Sequence, residues 1–186
     1  QEISLEAVCQ ESVEIIRQLA EEKGLELSLE IEPDLPAVQA DPLQLRRILV
    51  NLLGNAIKFT PTPGKIGLTV GRQNDPHQLR LTVWDTGIGI SEADQAQLFR
   101  PFFQVNATGK RQGGSGLGLP LVKELSKLHG WDLNVESAPS QGSRFTVCIP
   151  LYSSNAHGAR VEPQPRQILL VVDIQKIRRC YISGCL

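Results

Sequence analysis

Two asparagines and a lysine in the string NLLGNAIKF are the first residues whose types and spacing could do chemistry. Asn51, Asn55 and Lys58 stand at i, i+4 and i+7, so a helix would project all three from one side, leaving Ile48, Leu52, Leu53 and Ile57 as its apolar remainder. An Asn carbonyl oxygen is a hard, neutral ligand suited to Mg²⁺, and Lys brings a point charge to phosphate oxygens. A solvated helix face is the plain alternative, although such faces favour better helix formers than Asn.

A second group is DTGIGI, Asp85 to Ile90. A carboxylate at a strand end followed by Gly87 and Gly89 lets backbone approach a flat ligand while the acid accepts a hydrogen bond from an amino group such as that of adenine. A simple acid-Gly turn would look the same. A third is GGSGLGL, Gly113 to Leu119, ahead of a predicted helix. Glycines there expose amides and the positive end of the helix dipole, a site for a di- or triphosphate, and Lys110 and Arg111 add positive charge upstream. The chain has no G-x-x-x-x-G-K-[ST], and this loop lacks the apolar strand that precedes a dinucleotide fingerprint. Between these groups, LFRPFFQ holds Phe99, Phe102 and Phe103, a satellite core or a docking surface, with packing the preferred reading. His129, beside Gly130, suits a helix-end capping and dipole role rather than catalysis.

Positioning these groups requires regular elements, and the periodicity supplies them. Leu5, Val8, Ile15, Ile16 and Leu19 predict an amphipathic helix over 4–23 that stops at Gly24, and Leu25, Leu27, Leu29 and Ile31 alternate as a strand. Asp41 before Pro42 starts a second helix that runs to about Phe59, ahead of Pro61. Alternation around Leu68 and Leu81, across a turn with Asn74, Asp75 and Pro76, predicts a hairpin. A loop-rich stretch follows to about Gly116, then a helix over 117–129 and strands around Val135 and Val147. The expected fold is therefore α/β: a two-layer sandwich with a mixed, mostly antiparallel sheet of about five strands and three main helices on one face. The domain should end near Leu151, followed by a linker over 152–167 and a tail over 168–186.

Composition excludes several classes. The 186 residues carry 19 Lys plus Arg against 20 Asp plus Glu, a formal charge of -1, which leaves no basic stripe for nucleic acid. The apolar run from Ile168 to Val172 is far short of the ~18 residues of a membrane helix, so no membrane contact is expected of this piece. Cys9, Cys148, Cys180 and Cys185 have no C-x-x-C spacing, which suggests a reducing compartment. The lack of any Met leads us to expect part of a longer polypeptide.

In their order, NLLGNAIKF, DTGIGI, LFRPFFQ and GGSGLGL resemble the N, G1, F and G2 boxes of the catalytic and ATP-binding domain of sensor histidine kinases, within the GHKL superfamily and its Bergerat-type ATP fold. The likeness includes the lead-in DLPAVQADPLQLRRIL and the closing LHG and GSRFTVCIP, and so spans nearly 1–151. It implies that ATP and Mg²⁺ are the cofactors and that Asn51, Asn55 and Lys58 are the catalytic set, with Asn55 on the metal and Asn51 and Lys58 near the phosphates. It further implies that Asp85 receives the adenine amino group, that Gly87, Gly89 and Ile90 shape the purine pocket, and that a lid over about 99–113 closes the site. Lys110, Arg111, Gly114, Ser115, Gly116, Leu117, Gly118 and Leu119 would hold the triphosphate.

Superfamily ATPases such as gyrase and MutL carry a Glu four residues before the metal-binding Asn, whereas this chain has Asn51, and an amide cannot act as a general base. The resemblance therefore implies slow hydrolysis and transfer of the γ-phosphoryl group to a histidine of an H-E-x-x-x-P type box, which this chain lacks. The implied partners are the parent's own dimerisation and phosphoacceptor domain and a response regulator or receiver domain. The piece itself should be a cytoplasmic monomer, within a parent that could be membrane-anchored. The tail QILLVVD is similar to the first strand of a receiver, but Ile follows Asp173, so a non-native end is equally open. Two alternatives stay open: a degenerate ATP-sensing or docking domain, and a GHKL ATPase.

Overall fold

In the computed structural model, which describes residues 1–72, 77–104 and 115–151, the chain begins with a two-residue strand, β1 (Glu2–Ile3), and then helix α1 (Leu5–Glu22). Leu5, Val8, Val13 and Ile16 of α1 are buried, as the helical spacing requires. Gly24, at φ +71°, turns the chain out of α1 and into β2 (Leu25–Ile31). A second two-residue strand, β3 (Val38–Gln39), pairs antiparallel with β1.

Helix α2 (Pro42–Phe59) starts where Asp41 and Pro42 predict, the Asp41 carboxylate accepting the amides of Leu43 and Gln44 at 2.9 and 3.3 Å. Its Leu45, Ile48, Leu49, Leu52 and Leu53 are almost wholly excluded from water. Each contributes about 1.5–3 kcal/mol of burial free energy. Strands β4 (Gly64–Gly71) and β5 (Gln78–Asp85) follow, then a single turn of helix α3 (Glu92–Gln95), helix α4 (Gly118–Leu128), β6 (Asp132–Ser137) and β7 (Ser143–Pro150).

The sheet runs β2-β4-β5-β7-β6, with β2 and β4 parallel and the other neighbours antiparallel, so five strands form the mixed sheet that the sequence predicts. Ile66, Leu68 and Val70, Leu79, Leu81 and Val83, and Phe145, Val147 and Ile149 form three buried rows that share one core with α1, α2 and α4. Alternation turns Lys65, Trp84 and Arg144 to the opposite face. Helix α2 lies between α1 and α4 and packs on β4 and β5.

The structure adds two features to the sequence reading. The β1–β3 pair is too short to show a period, and α3 interrupts the expected loop, its start capped by Ser91, whose hydroxyl accepts the Asp94 amide at 3.2 Å. The expected turn at 73–76, the linker and the tail lie outside the described residues.

Candidate functional site

The last inward-facing residue of β5 is Asp85, in the row begun by Leu79, Leu81 and Val83. A carboxylate there is buried against the helical layer, which pushes its pKa up through desolvation. The Gly87 amide, at 2.7 Å from Oδ1, and Ser143, opposite it on β7, oppose that shift by hydrogen bonding. Asp85 is thus a desolvated acceptor that Gly87 holds at Oδ1 and Ser143 supports, a group able to read a donor on a flat ligand.

The loop after Asp85 is sewn to two neighbours. The Ile88 amide donates to Phe59 O, in the last turn of α2, at 3.1 Å, and a Cβ on Gly87 would fall 2.4 Å from that same oxygen. On the other side Ser140 N donates to Ile88 O at 2.7 Å, Gly142 N to Gly87 O at 3.1 Å, and Ile90 N to Ser137 Oγ at 2.9 Å. Gly89 sits at φ +68°, and an added Cβ would overlap Ala138 O at 1.8 Å, so only glycine closes this turn against the β6–β7 hairpin. The Gln95 amide of α3 donates to Ile90 O and Ser137 O at 3.0 and 2.8 Å and fixes the far end of the loop.

Helix α2 carries the Asn stripe past both of the other groups. Asn51 and Asn55 are partly buried, and Asn51 Nδ2 donates to Arg47 O at 2.8 Å. Its Oδ1 faces Gly118, where an added Cβ would come within 3.0 Å. Asn51 therefore abuts the start of α4 and Phe59 abuts the loop after Asp85, while Asn55 is four residues, about 6 Å along the helix axis, from both Asn51 and Phe59. Lys58 is also partly buried, with Nζ 4.8 Å from the Phe59 ring centre, and desolvation lowers its pKa.

The start of α4 differs from that of α2: Leu117 stands at its N-cap position, and no side chain caps it. Amides at an uncapped helix start suit an anion. Gly116 O accepts the Phe102 amide at 3.0 Å, so the Phe-rich turn is tied to this point, while Ser115 Oγ accepts the Leu117 amide at 3.3 Å. The Phe cluster divides: Phe99 packs on the core beneath Lys123, whereas Phe102, at φ +65°, is 74% exposed.

The structure therefore sets Gly118 against Asn51 and Gly87 against Phe59 at two points of α2, with Asn55 between them, while Gly89 closes on the β6–β7 hairpin and Gly116 on the Phe-rich turn. Leu119 and Ile90 pack on the edge of the core. Lys110, Arg111 and Gly114 lie outside the described residues. His129 is the C-cap of α4, but its ring stacks on Trp131 at 4.3 Å and its Nε2 lies 3.0 Å from Gln44 Oε1. Burial lowers its pKa, which favours the neutral imidazole at this helix end.

No motif in the sequence marks Ser143, Ser137 or Gln95. The signal for Ser143 was present: it occupies an inward-facing register with Phe145, Val147 and Ile149, yet it is polar. Two hollows lie away from the Asn stripe. The larger, about 830 Å³, lies near Glu2, Leu5 and Leu35 at the chain entrance, and the smaller, about 460 Å³, touches Asp85 from the side of Trp84 and Arg144.

The donor set fits a nucleotide with a divalent ion. Among the described residues no cluster of three or more His, Cys, Asp or Glu could hold a metal by itself. An ion gripped by one amide oxygen and by phosphate oxygens matches Mg²⁺, which accepts few protein ligands.

Residues 40–153 match the family model described as histidine kinase-, DNA gyrase B-, and HSP90-like ATPase. The circadian input-output histidine kinase CikA of Synechococcus elongatus is 49% identical over 127 residues, 68% of this chain and 17% of that protein. The signal transduction histidine-protein kinase BarA of Escherichia coli K12 is 42% identical over 152 residues, 79% of this chain and 16% of that protein. The chain thus spans about a sixth of the length of these curated relatives. Among solved structures, full-length ShkA in complex with AMPPNP superposes with a TM-score of 0.73 at 33% identity, over 84% of this chain and 32% of that one.

Proposed function

We propose, for a chain that belongs to the family of histidine kinase-, DNA gyrase B- and HSP90-like ATPases, that it binds Mg-ATP along α2 and donates the γ-phosphoryl group to a histidine of a separate domain. Its fold and its relatives make it the catalytic, ATP-binding domain of the sensor histidine kinases of two-component signalling, and ATP binding is typical of that domain. The observation that carries the finer reading is the meeting on one helix of three separated sequence groups: Asn51 against Gly118, and Phe59 against Gly87 and Ile88, with buried Asp85 beside them.

Each residue then has a task. Asp85, anchored by Gly87, accepts the adenine amino group, while Gly87, Gly89 and Ile90 form the floor of the purine pocket. Asn55 supplies the amide oxygen for Mg²⁺, and when bound that ion neutralises charge on the phosphates. Lys58 and Asn51 flank the phosphates, and 115–119 present the amides of the α4 start. Lys110, Arg111 and Gly114 belong to the same proposal. Asn51 has no acid–base capacity, so water is poorly activated and the phosphoryl group is kept for a positioned imidazole. The domain comprises 1–151, with 152–167 as linker and 168–186 as tail. Its partners are the parent's phosphoacceptor domain and a receiver, in the cytoplasm.

Exposed Phe102 favours one further reading, a docking domain that senses ATP without transferring phosphate. Thermal denaturation with an ATP analogue, with and without Mg²⁺, tests the binding. A hundredfold excess over Kd should add ~2.7 kcal/mol of stability. Labelled ATP with a separately produced dimerisation domain then decides: label on its histidine supports the kinase, and binding without transfer supports the sensor. No Mg-dependent stabilisation would refute both.

A further inference from the structure

An α-helix ends with four carbonyls that no helical amide can reach, so the partners they find reveal what holds that end. In α2 they are the carbonyls of Ala56, Ile57, Lys58 and Phe59. Ala56 O accepts the Thr60 amide at 3.1 Å and the Thr60 hydroxyl at 2.7 Å, and Phe59 O accepts Ile88 N at 3.1 Å. The two between them, Ile57 O and Lys58 O, both accept from Lys23 Nζ, at 2.5 and 3.1 Å.

Lys23 comes from the C-cap of α1, more than thirty residues earlier, and lies before the family match at 40–153. Its own carbonyl accepts the Thr62 hydroxyl at 2.5 Å, so the α1–β2 junction and the α2–β4 junction clasp each other in both directions. A cation here also faces the negative end of the α2 dipole, and burial lowers its pKa, so solvent screens it less than a surface lysine.

We propose that Lys23 is a positioning residue for nucleotide binding: by pinning the last turn of α2 it sets the offset between the Asn55 and Lys58 side chains and the Asp85–Gly89 loop. The inference rests on the ATP site proposed above. Without the ammonium, Ile57 O and Lys58 O seek water, the last turn of α2 relaxes, and Phe59 O no longer holds the Ile88 amide in register. A cap with a merely structural role would lower the melting temperature and leave affinity intact.

The test uses the full 186-residue chain and Mg-AMPPNP as the probe, with titration calorimetry at a temperature where circular dichroism shows every variant folded. Lys23→Met should raise Kd about five- to tenfold, while Lys23→Arg, which can still donate to both carbonyls, should stay within about threefold of wild type. Val13→Ala, a cavity in α1 away from the clasp, should lower the melting temperature and change Kd less than about twofold. In amide NMR spectra the Ile88 resonance should move in Lys23→Met and stay in Val13→Ala. If Lys23→Met does not fold, Lys23→Gln and Lys23→Arg replace the comparison, with Gln expected to be at least about threefold weaker. Wild-type binding with an unchanged Lys23→Met affinity and an unmoved Ile88 amide, or equal affinities of the Gln and Arg variants, overturns this inference alone. A wild-type chain that binds no AMPPNP overturns the ATP reading and this inference with it.

Discussion

Replacing Asp85 by Asn separates what the carboxylate does for the ligand from what it costs the fold. Oδ1 must accept the Gly87 amide at 2.7 Å, so the Asn oxygen is drawn to that side and, in the proposed site, its NH₂ would face the purine. A donor then meets the adenine amino group where an ionised acceptor stood. The loss of a hydrogen bond to a charged group, about 1.5–3 kcal/mol, corresponds to roughly ten- to hundredfold weaker ATP binding. Guanine carries an acceptor at the equivalent position, so GTP should lose little or gain.

The apo protein should respond in the opposite sense. Burial raises the Asp85 pKa, so the native state holds this proton more readily than the unfolded chain. Its stabilising contribution is complete below the unfolded carboxylate pKa and is lost as pH rises through the folded value. At neutral pH the ionised side chain therefore weighs against the fold, and Asp85→Asn should melt no lower than wild type, with the gap closing as pH falls into the carboxylate range. Calorimetric titration with ATP and GTP, beside melting curves across pH, checks both halves. Parallel losses for the two nucleotides, or no loss for ATP, would refute the purine assignment; a clearly lower apo melting temperature at neutral pH would refute the burial argument.

Asn55→Ala should abolish the Mg²⁺ dependence of ATP-analogue binding, seen as superimposable titrations with and without the ion, while the apo melting temperature shifts little because the side chain is only partly buried. Gly89→Ala should destabilise the domain by at least about 1–2 kcal/mol in urea denaturation, since the left-handed conformation alone costs that much and the overlap with Ala138 O adds to it. His129 has a folded pKa below its unfolded value, so its contribution is present above the unfolded pKa and is lost as pH falls through the folded one. Asp41, at the start of α2, is the charge that opposes the shift. His129→Gln should flatten the loss of stability between about pH 7.5 and 5, read by chemical denaturation.

The elements that position the site were legible where a periodic pattern was long enough to stand out. Helix α2 announces itself through Asp41 and Pro42 at one end and Pro61 at the other, and β4, β5 and β7 through strict alternation. The pair β1–β3 and the single turn α3 carry too few residues to show any period. The groups of the proposed site are legible by type: an Asn stripe on an otherwise apolar helix, and an acid ahead of two glycines. Their supports were not. Lys23, Gln95 and Ser137 are ordinary surface residue types whose role arises from partners 34, 42 and 47 residues away, and only the folded register supplies those partners.

That division has a physical cause in how the site is built. A group that meets a ligand must have the right chemistry, which restricts its residue type; a group that holds the frame needs only a donor or acceptor at the right distance, which many types provide. Helix α2 joins the two kinds. Its side chains at Asn51 and Asn55 carry type-restricted chemistry, while its final carbonyls, free of type altogether, accept from Thr60, Lys23 and Ile88. The backbone of one helix end thereby fixes the distance between a stripe read from composition and a loop read from glycines. An error in that distance would leave every recognisable residue in place and the pocket out of register, so the frame residues that lack a sequence signature should be those whose substitution changes affinity without touching the ligand.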